Sequence, residues 1–123
     1  MHQHPKDNFF VDRWKSLGYA IRGFFLLIKT ENAVKVHFSF AVLFVIIGVL
    51  CRISSLEWAI QLLCFGLILS VESLNTAVEK TCDFIHPDFH DRIGFIKDIS
   101  AGAVTFAVGF AYAALVFIYL IKI

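Results

Sequence analysis

The run LEWAIQLLCFGLILSVESLNTAVEKTCD, residues 56–83, decides the fold. Its first sixteen residues are almost wholly apolar. Glu72, Asn75, Glu79 and Asp83 then follow at intervals of 3, 4 and 4 residues. At about 100° per residue these four fall within roughly 80° of one another on a helix. An apolar helix therefore carries one acidic stripe at its C-terminal end. In a segment that spans a membrane, ionisable side chains of this kind mark a functional site by default.

The rest of the chain fits a bilayer. Of its 123 residues, 59% are hydrophobic and fourteen are Phe, and the mean hydropathy is +0.76. A soluble domain of this length is not normally so apolar. Three spans are expected, over 34–51, 56–83 and 97–122, each including the 17–25 residues that a bilayer demands. Residues 1–8 read as a disordered polar tail, with no basic-then-apolar leader. From Phe9 to Ile28 the residues Phe10, Trp14, Leu17, Ile21, Phe24 and Ile28 recur at helical spacing, with Asp12, Arg13, Lys15, Ser16 and Arg22 filling much of the other side. That pattern predicts an amphipathic helix over 9–29 lying in the membrane interface. The fold class is thus all-α integral membrane, a single domain of three transmembrane helices plus an interfacial helix.

Lys and Arg orient it. With the N-terminus in the cytoplasm, that side holds Lys6, Arg13, Lys15, Arg22, Lys29, Lys35, Lys80, Arg92 and Lys97, and the other side only Arg52 and Lys122. The bias predicts N-inside and C-outside. Residues 29–35 connect the first helix to the first span, a short link over 52–57 pairs spans one and two, and Pro87 breaks the loop over 84–96. The odd cysteines Cys51, Cys64 and Cys82 read as small apolar packing residues. Trp14 and Trp58 read as interfacial anchors. His86 and His90 have a zinc-like spacing, but Pro87 between them argues against a regular helix there.

Depth separates the acids. Glu72 lies about 24 Å along the helix from Leu56, in a hydrocarbon layer about 30 Å thick. It is therefore just inside the cytoplasmic boundary, where a lipid hydroxyl would lie. Glu79 is roughly 10 Å further, at headgroup or water depth. Glu31, Lys97 and Asp98 belong to the same cytoplasmic edge. Carboxylates with room for water can hold Mg²⁺, which completes its shell with phosphate oxygens. Phosphoryl transfer needs a metal, a cation on the phosphates and an oriented acceptor hydroxyl. The cluster offers those parts, and there is no Walker-A or kinase glycine loop. An ion or proton carrier with Glu72 as its membrane acid is the competing class, but a carrier places its acids along a mid-bilayer path. A non-catalytic adaptor would have no reason to align Glu72, Asn75 and Glu79.

The run Glu72-Ser73-Leu74-Asn75-Thr76-Ala77-Val78-Glu79, then Asp83, then Lys97-Asp98 before small residues, closely resembles the signature of the prokaryotic diacylglycerol kinase family, which includes undecaprenol kinases. Gly18-Tyr19-Ala20-Ile21-Arg22-Gly23 and Glu31 also match, so the resemblance runs from about residue 13 onward. It implies a homotrimer in the bacterial inner membrane, with active sites between subunits on the cytoplasmic side, where ATP with Mg²⁺ phosphorylates a lipid alcohol. Carried over by position, Glu72 is the general base. Glu31 and Glu79 hold metal ions. Asn75 and Lys97 contact the polyphosphate with Asp98 beside them, and Tyr19 lies near the nucleotide. Asp88 and His90 fall in the adenosine segment, Asp88 standing where the diacylglycerol-type enzymes have glutamate. The stretches 28–32 and 34–37 lean towards the undecaprenol branch, with diacylglycerol the alternative acceptor. No nucleic-acid partner is expected.

Overall fold

The computed structural model describes residues 8–122. It is all-helical: α1 (Phe9–Thr30), α2 (Asn32–Leu50), α3 (Ser55–Ile85) and α4 (Asp91–Lys122). Consecutive helices pack on one another, α3 against α4 most extensively. The last three are long and apolar enough to cross a membrane, with mean hydropathies of 2.3, 1.4 and 2.3 over their most apolar windows. The tail expected over residues 1–8 lies outside the described residues except for Asn8. The Asn8 side chain accepts a hydrogen bond from the Val11 N–H at 2.8 Å and so caps α1.

The connector expected over 29–35 narrows to one extended residue, Glu31, with φ −102° and ψ 112°. Its carboxylate does not cap α2, and that leaves it for longer-range contacts. α1 carries its aromatic side chains outward: Phe9, Phe10, Trp14, Phe24 and Phe25 are all exposed. An apolar, aromatic flank beside Arg13, Lys15 and Arg22 is suited to a membrane surface.

The turn between α2 and α3 is tight, and the sequence shows why. Arg52 has a φ of 53°, the left-handed position that usually falls to glycine at a helix end. The Ile53 N–H reaches back to the Gly48 carbonyl, and the Arg52 N–H to that of Val49, each at 3.2 Å. Ser54 then opens α3 through reciprocal bonds with Glu57. Glu57 also pairs with Lys122 at 3.1 Å, closing the end of α4 onto the start of α3. Trp58 is half-buried over Gly48, so it packs the turn between α2 and α3. A Cβ at Gly48 would lie 2.7 Å from the indole.

The core runs along the α3–α4 seam, through Cys64, Phe65, Ile68, Ala111, Leu115 and Ile118. The rings of Phe44, Phe65, Tyr112 and Tyr119 meet there at centroid distances of 5.4–6.1 Å. Gln61 is almost fully buried among them. Its amide donates to the Phe44 carbonyl at 2.9 Å and its oxygen accepts from the Tyr119 hydroxyl. In an apolar setting that pair of bonds ties α2, α3 and α4 together. All three cysteines are free thiols, Cys64 and Cys82 buried.

Candidate active site

The stripe on α3 is one continuous surface. Glu72 and Asn75 are each 7% exposed, whereas Glu79 and Asp83 stand in the open. The helix therefore runs from a sequestered carboxylate to a solvated one, roughly 10 Å along its axis. The Asn75 side-chain N–H₂ donates to Glu79 at 3.1 Å, which aims the carboxylate along the helix. That leaves the Asn75 carbonyl oxygen buried, with no hydrogen-bond partner among the described residues. A buried acceptor without a donor is costly, and a donor or cation brought by a ligand would satisfy it. Thr76 donates to the Glu72 backbone carbonyl, leaving the carboxylate uninvolved. His37 on α2 and Glu79 are the ionisable groups that act on Glu72 across space.

The entry to α4 closes on the same end of α3. Lys97 donates to Asp83 at 2.7 Å. Between these two the loop folds so that Asp88 and His90 line a small hollow of about 130 Å³ with them. His86 Nδ1 lies 2.8 Å from the Asp88 carbonyl, and so donates to it. His90 Nδ1 accepts from the Arg92 N–H at 3.1 Å. Both contacts hold the loop in place. Asp98 is exposed one residue beyond Lys97.

Glu31 lies on a different flank of α3. It pairs with Lys80 at 3.1 Å, and the two border a broad groove with Thr30, Ser73 and Thr76. Tyr19, half a helix away on α1, is 38% exposed. The fold thus brings Glu72, Asn75 and Glu79 onto one stripe, and groups Asp88, His90 and Lys97 around Asp83. Among the described residues no three Asp, Glu, His or Cys side chains converge closely enough to hold a metal ion. The donor chemistry still fits Mg²⁺. That ion takes hard oxygens, often only one or two protein carboxylates, and fills the rest of its shell from phosphates and water.

Two members of this neighbourhood were not legible as such. Lys80 reads as an ordinary cytoplasmic cation, and His37 as a blemish at the start of a span. Each earns its place only through packing between elements far apart in sequence. The one available signal was the span reading, which puts His37 at the start of the first span and Glu72 near the end of the second, and so at the same edge.

Comparison with known proteins shows the family. The family model described as prokaryotic diacylglycerol kinase matches residues 18–119. Undecaprenol kinase of Bacillus subtilis (strain 168) is 38% identical over 103 residues, covering 84% of this chain and 80% of that protein. The matched region takes in α3 whole, the loop after it and nearly all of α4. The chain belongs to the prokaryotic diacylglycerol kinase family and is a multi-pass membrane lipid kinase.

Proposed function

We propose that this kinase moves the γ-phosphoryl group of ATP to the hydroxyl of undecaprenol at the cytoplasmic face of the membrane. In the reaction the acceptor O–H proton passes to the Glu72 carboxylate. The lipid oxygen forms its bond to the γ-phosphorus as the bond from phosphorus to the bridging β–γ oxygen breaks, and ADP leaves. Asn75 and Lys97 hold the polyphosphate, with Asp98 alongside. Asp88, His90 and Tyr19 flank the nucleoside. Glu79 and Glu31 are the carboxylates for Mg²⁺, which when bound neutralises charge on the phosphates. Lys97 must exchange Asp83 for phosphate, a small cost for an exposed ion pair.

The carrying observation is the position of Glu72. It is a sequestered carboxylate, 7% exposed, at the inner end of a stripe that leads through Asn75 to the exposed Glu79. The relative named for undecaprenol, and the short stretches at the start of α2, favour a polyprenol over diacylglycerol. The homotrimer that the resemblance implies would cover apolar side chains that the single chain leaves exposed, Phe106 and Phe110 among them.

Glu72→Gln keeps the shape and removes the base. Its kcat is expected to fall about 10²–10⁴-fold, with the KM for ATP nearly unchanged. A Gln variant with wild-type kcat would refute the assignment.

A further inference from the structure

The turn from α3 to α4 is bracketed by two imidazoles. His86 closes α3, its backbone N–H on the Cys82 carbonyl. His90 stands just before α4, and its carbonyl accepts the Gly94 N–H at 2.8 Å. The two rings meet at a centroid distance of 5.0 Å and line the same hollow as Asp83 and Lys97. Each ring uses Nδ1 on the backbone, but with opposite polarity. His86 Nδ1 donates to the Asp88 carbonyl at 2.8 Å. His90 Nδ1 accepts from the Arg92 N–H at 3.1 Å. A neutral and a protonated imidazole can both donate, whereas accepting takes the lone pair of the neutral ring. His90 therefore does what Asn, Asp or Ser does at a helix N-cap, but only while it is uncharged.

We propose that His90 is a pH-sensitive latch on this turn: its neutral ring caps α4 and holds the hollow, and its protonation releases the turn and weakens ATP binding. The effect on ATP rests on the nucleotide reading above. A proton and the Arg92 N–H compete for one lone pair, so a fall in pH favours the uncapped turn. The charged ring would also face the positive end of α4. The charged groups around it are Asp83 from α3, His86 and Asp88 from the turn, and Asp91, Arg92 and Lys97 from α4. Asp83 is paired with Lys97 at 2.7 Å, and the carboxylates attract a ring that has let go of the backbone. His86 is the other imidazole at the turn, and its bond to Asp88 survives protonation. Lys97 lies seven residues into α4 from His90, about 10 Å along the axis, so a loosened first turn also loosens the placement of the phosphate-binding cation. The sign is diagnostic. An imidazolium that only touched the nucleotide would draw the phosphates in and lower the KM for ATP, whereas loss of the latch raises it.

The test follows the KM for ATP and kcat from about pH 8 to about pH 5.5, with the full chain in mixed micelles at saturating Mg²⁺. ATP titrates as well, but equally for every variant. The wild type is therefore read against His90→Asn, whose side-chain oxygen can accept the same N–H and does not titrate. Over this range the wild-type KM is expected to rise at least about threefold more than that of His90→Asn, with kcat changing alike in both. His86→Asn is expected to keep the wild-type rise. Equal rises in wild type and His90→Asn, or a wild-type KM that falls, would overturn the latch. So would a rise abolished by His86→Asn. Hydrogen exchange gives a readout apart from activity: protection of the Arg92 amide is expected to drop at the lower pH in the wild type and to persist in His90→Asn. Should His90→Asn not fold, the wild type decides, and Arg92 protection that ignores pH would refute the latch. Protection that drops while the KM does not rise would instead bring down the nucleotide reading of this hollow.

Discussion

At the scale of single residues, burial separates roles that the alphabet alone does not. Glu72 and Glu79 are the same side chain seven residues apart, yet one is 7% exposed and the other stands in the open. The first suits a proton acceptor beside lipid, the second a metal-bound nucleotide. Glu79→Gln is expected to raise the Mg²⁺ concentration needed for half-maximal activity by about tenfold, since one of the few protein carboxylates is lost. A titration of activity against Mg²⁺ checks this, and an unchanged curve would place the metal elsewhere. Gly48 is a residue of another kind. The Trp58 ring lies where its Cβ would go, so Gly48→Ala should cost about 1–3 kcal/mol through overpacking. Unfolding in detergent measures it, and wild-type stability would mean that the indole swings aside freely. Neither the burial difference nor the Gly48–Trp58 contact was open to a reading of sequence. The spacing of Glu72, Asn75 and Glu79 put them on one face, and depth arithmetic ordered them. Which face α4 and α2 would cover depends on packing.

At the scale of elements, the four helices, three of them long and apolar enough to span a membrane, were legible because each has a plain physical signature. A bilayer requires long apolar helices, and α1 alternates aromatic and charged residues at helical spacing. Their ends were less legible. α1 runs on to Thr30 and α2 starts at Asn32, since a single extended residue suffices to turn the chain. α4 begins at Asp91 rather than near Lys97, its first turn held by the His90 ring. The clasp at Gln61 was missed altogether. A lone Gln in an apolar run reads as a tolerated polar residue, and only the placement of the Phe44 carbonyl and the Tyr119 hydroxyl gives it a purpose. Gln61→Leu is expected to destabilise the bundle by about 1–2 kcal/mol, near the upper range for hydrogen bonds between membrane helices. Thermal unfolding in detergent tests this, and no change in midpoint would mean that Tyr119, which also approaches the Phe44 carbonyl at 3.4 Å, takes over the bond.

At the scale of the whole molecule, the single chain is an incomplete object. Large apolar side chains such as Leu63, Phe106, Phe110 and Phe117 are each more than two-thirds exposed, which lipid or further copies of the chain must cover. The acidic groups crowd one end of the bundle, where α3 ends and α4 begins, and the opposite end holds little besides the Glu57–Lys122 pair and Arg52. That polarity is what a kinase with a soluble donor and a membrane acceptor requires, and it differs from the through-membrane path of a carrier. The central claim is thus transfer from ATP to a polyprenol. The most direct test follows label from γ-labelled ATP in mixed micelles, with undecaprenol and diacylglycerol supplied separately at matched mole fraction, with and without Mg²⁺. The account predicts Mg²⁺-dependent label on undecaprenol, well above that on diacylglycerol. Label on diacylglycerol in preference to undecaprenol, or on neither by folded protein, would contradict it.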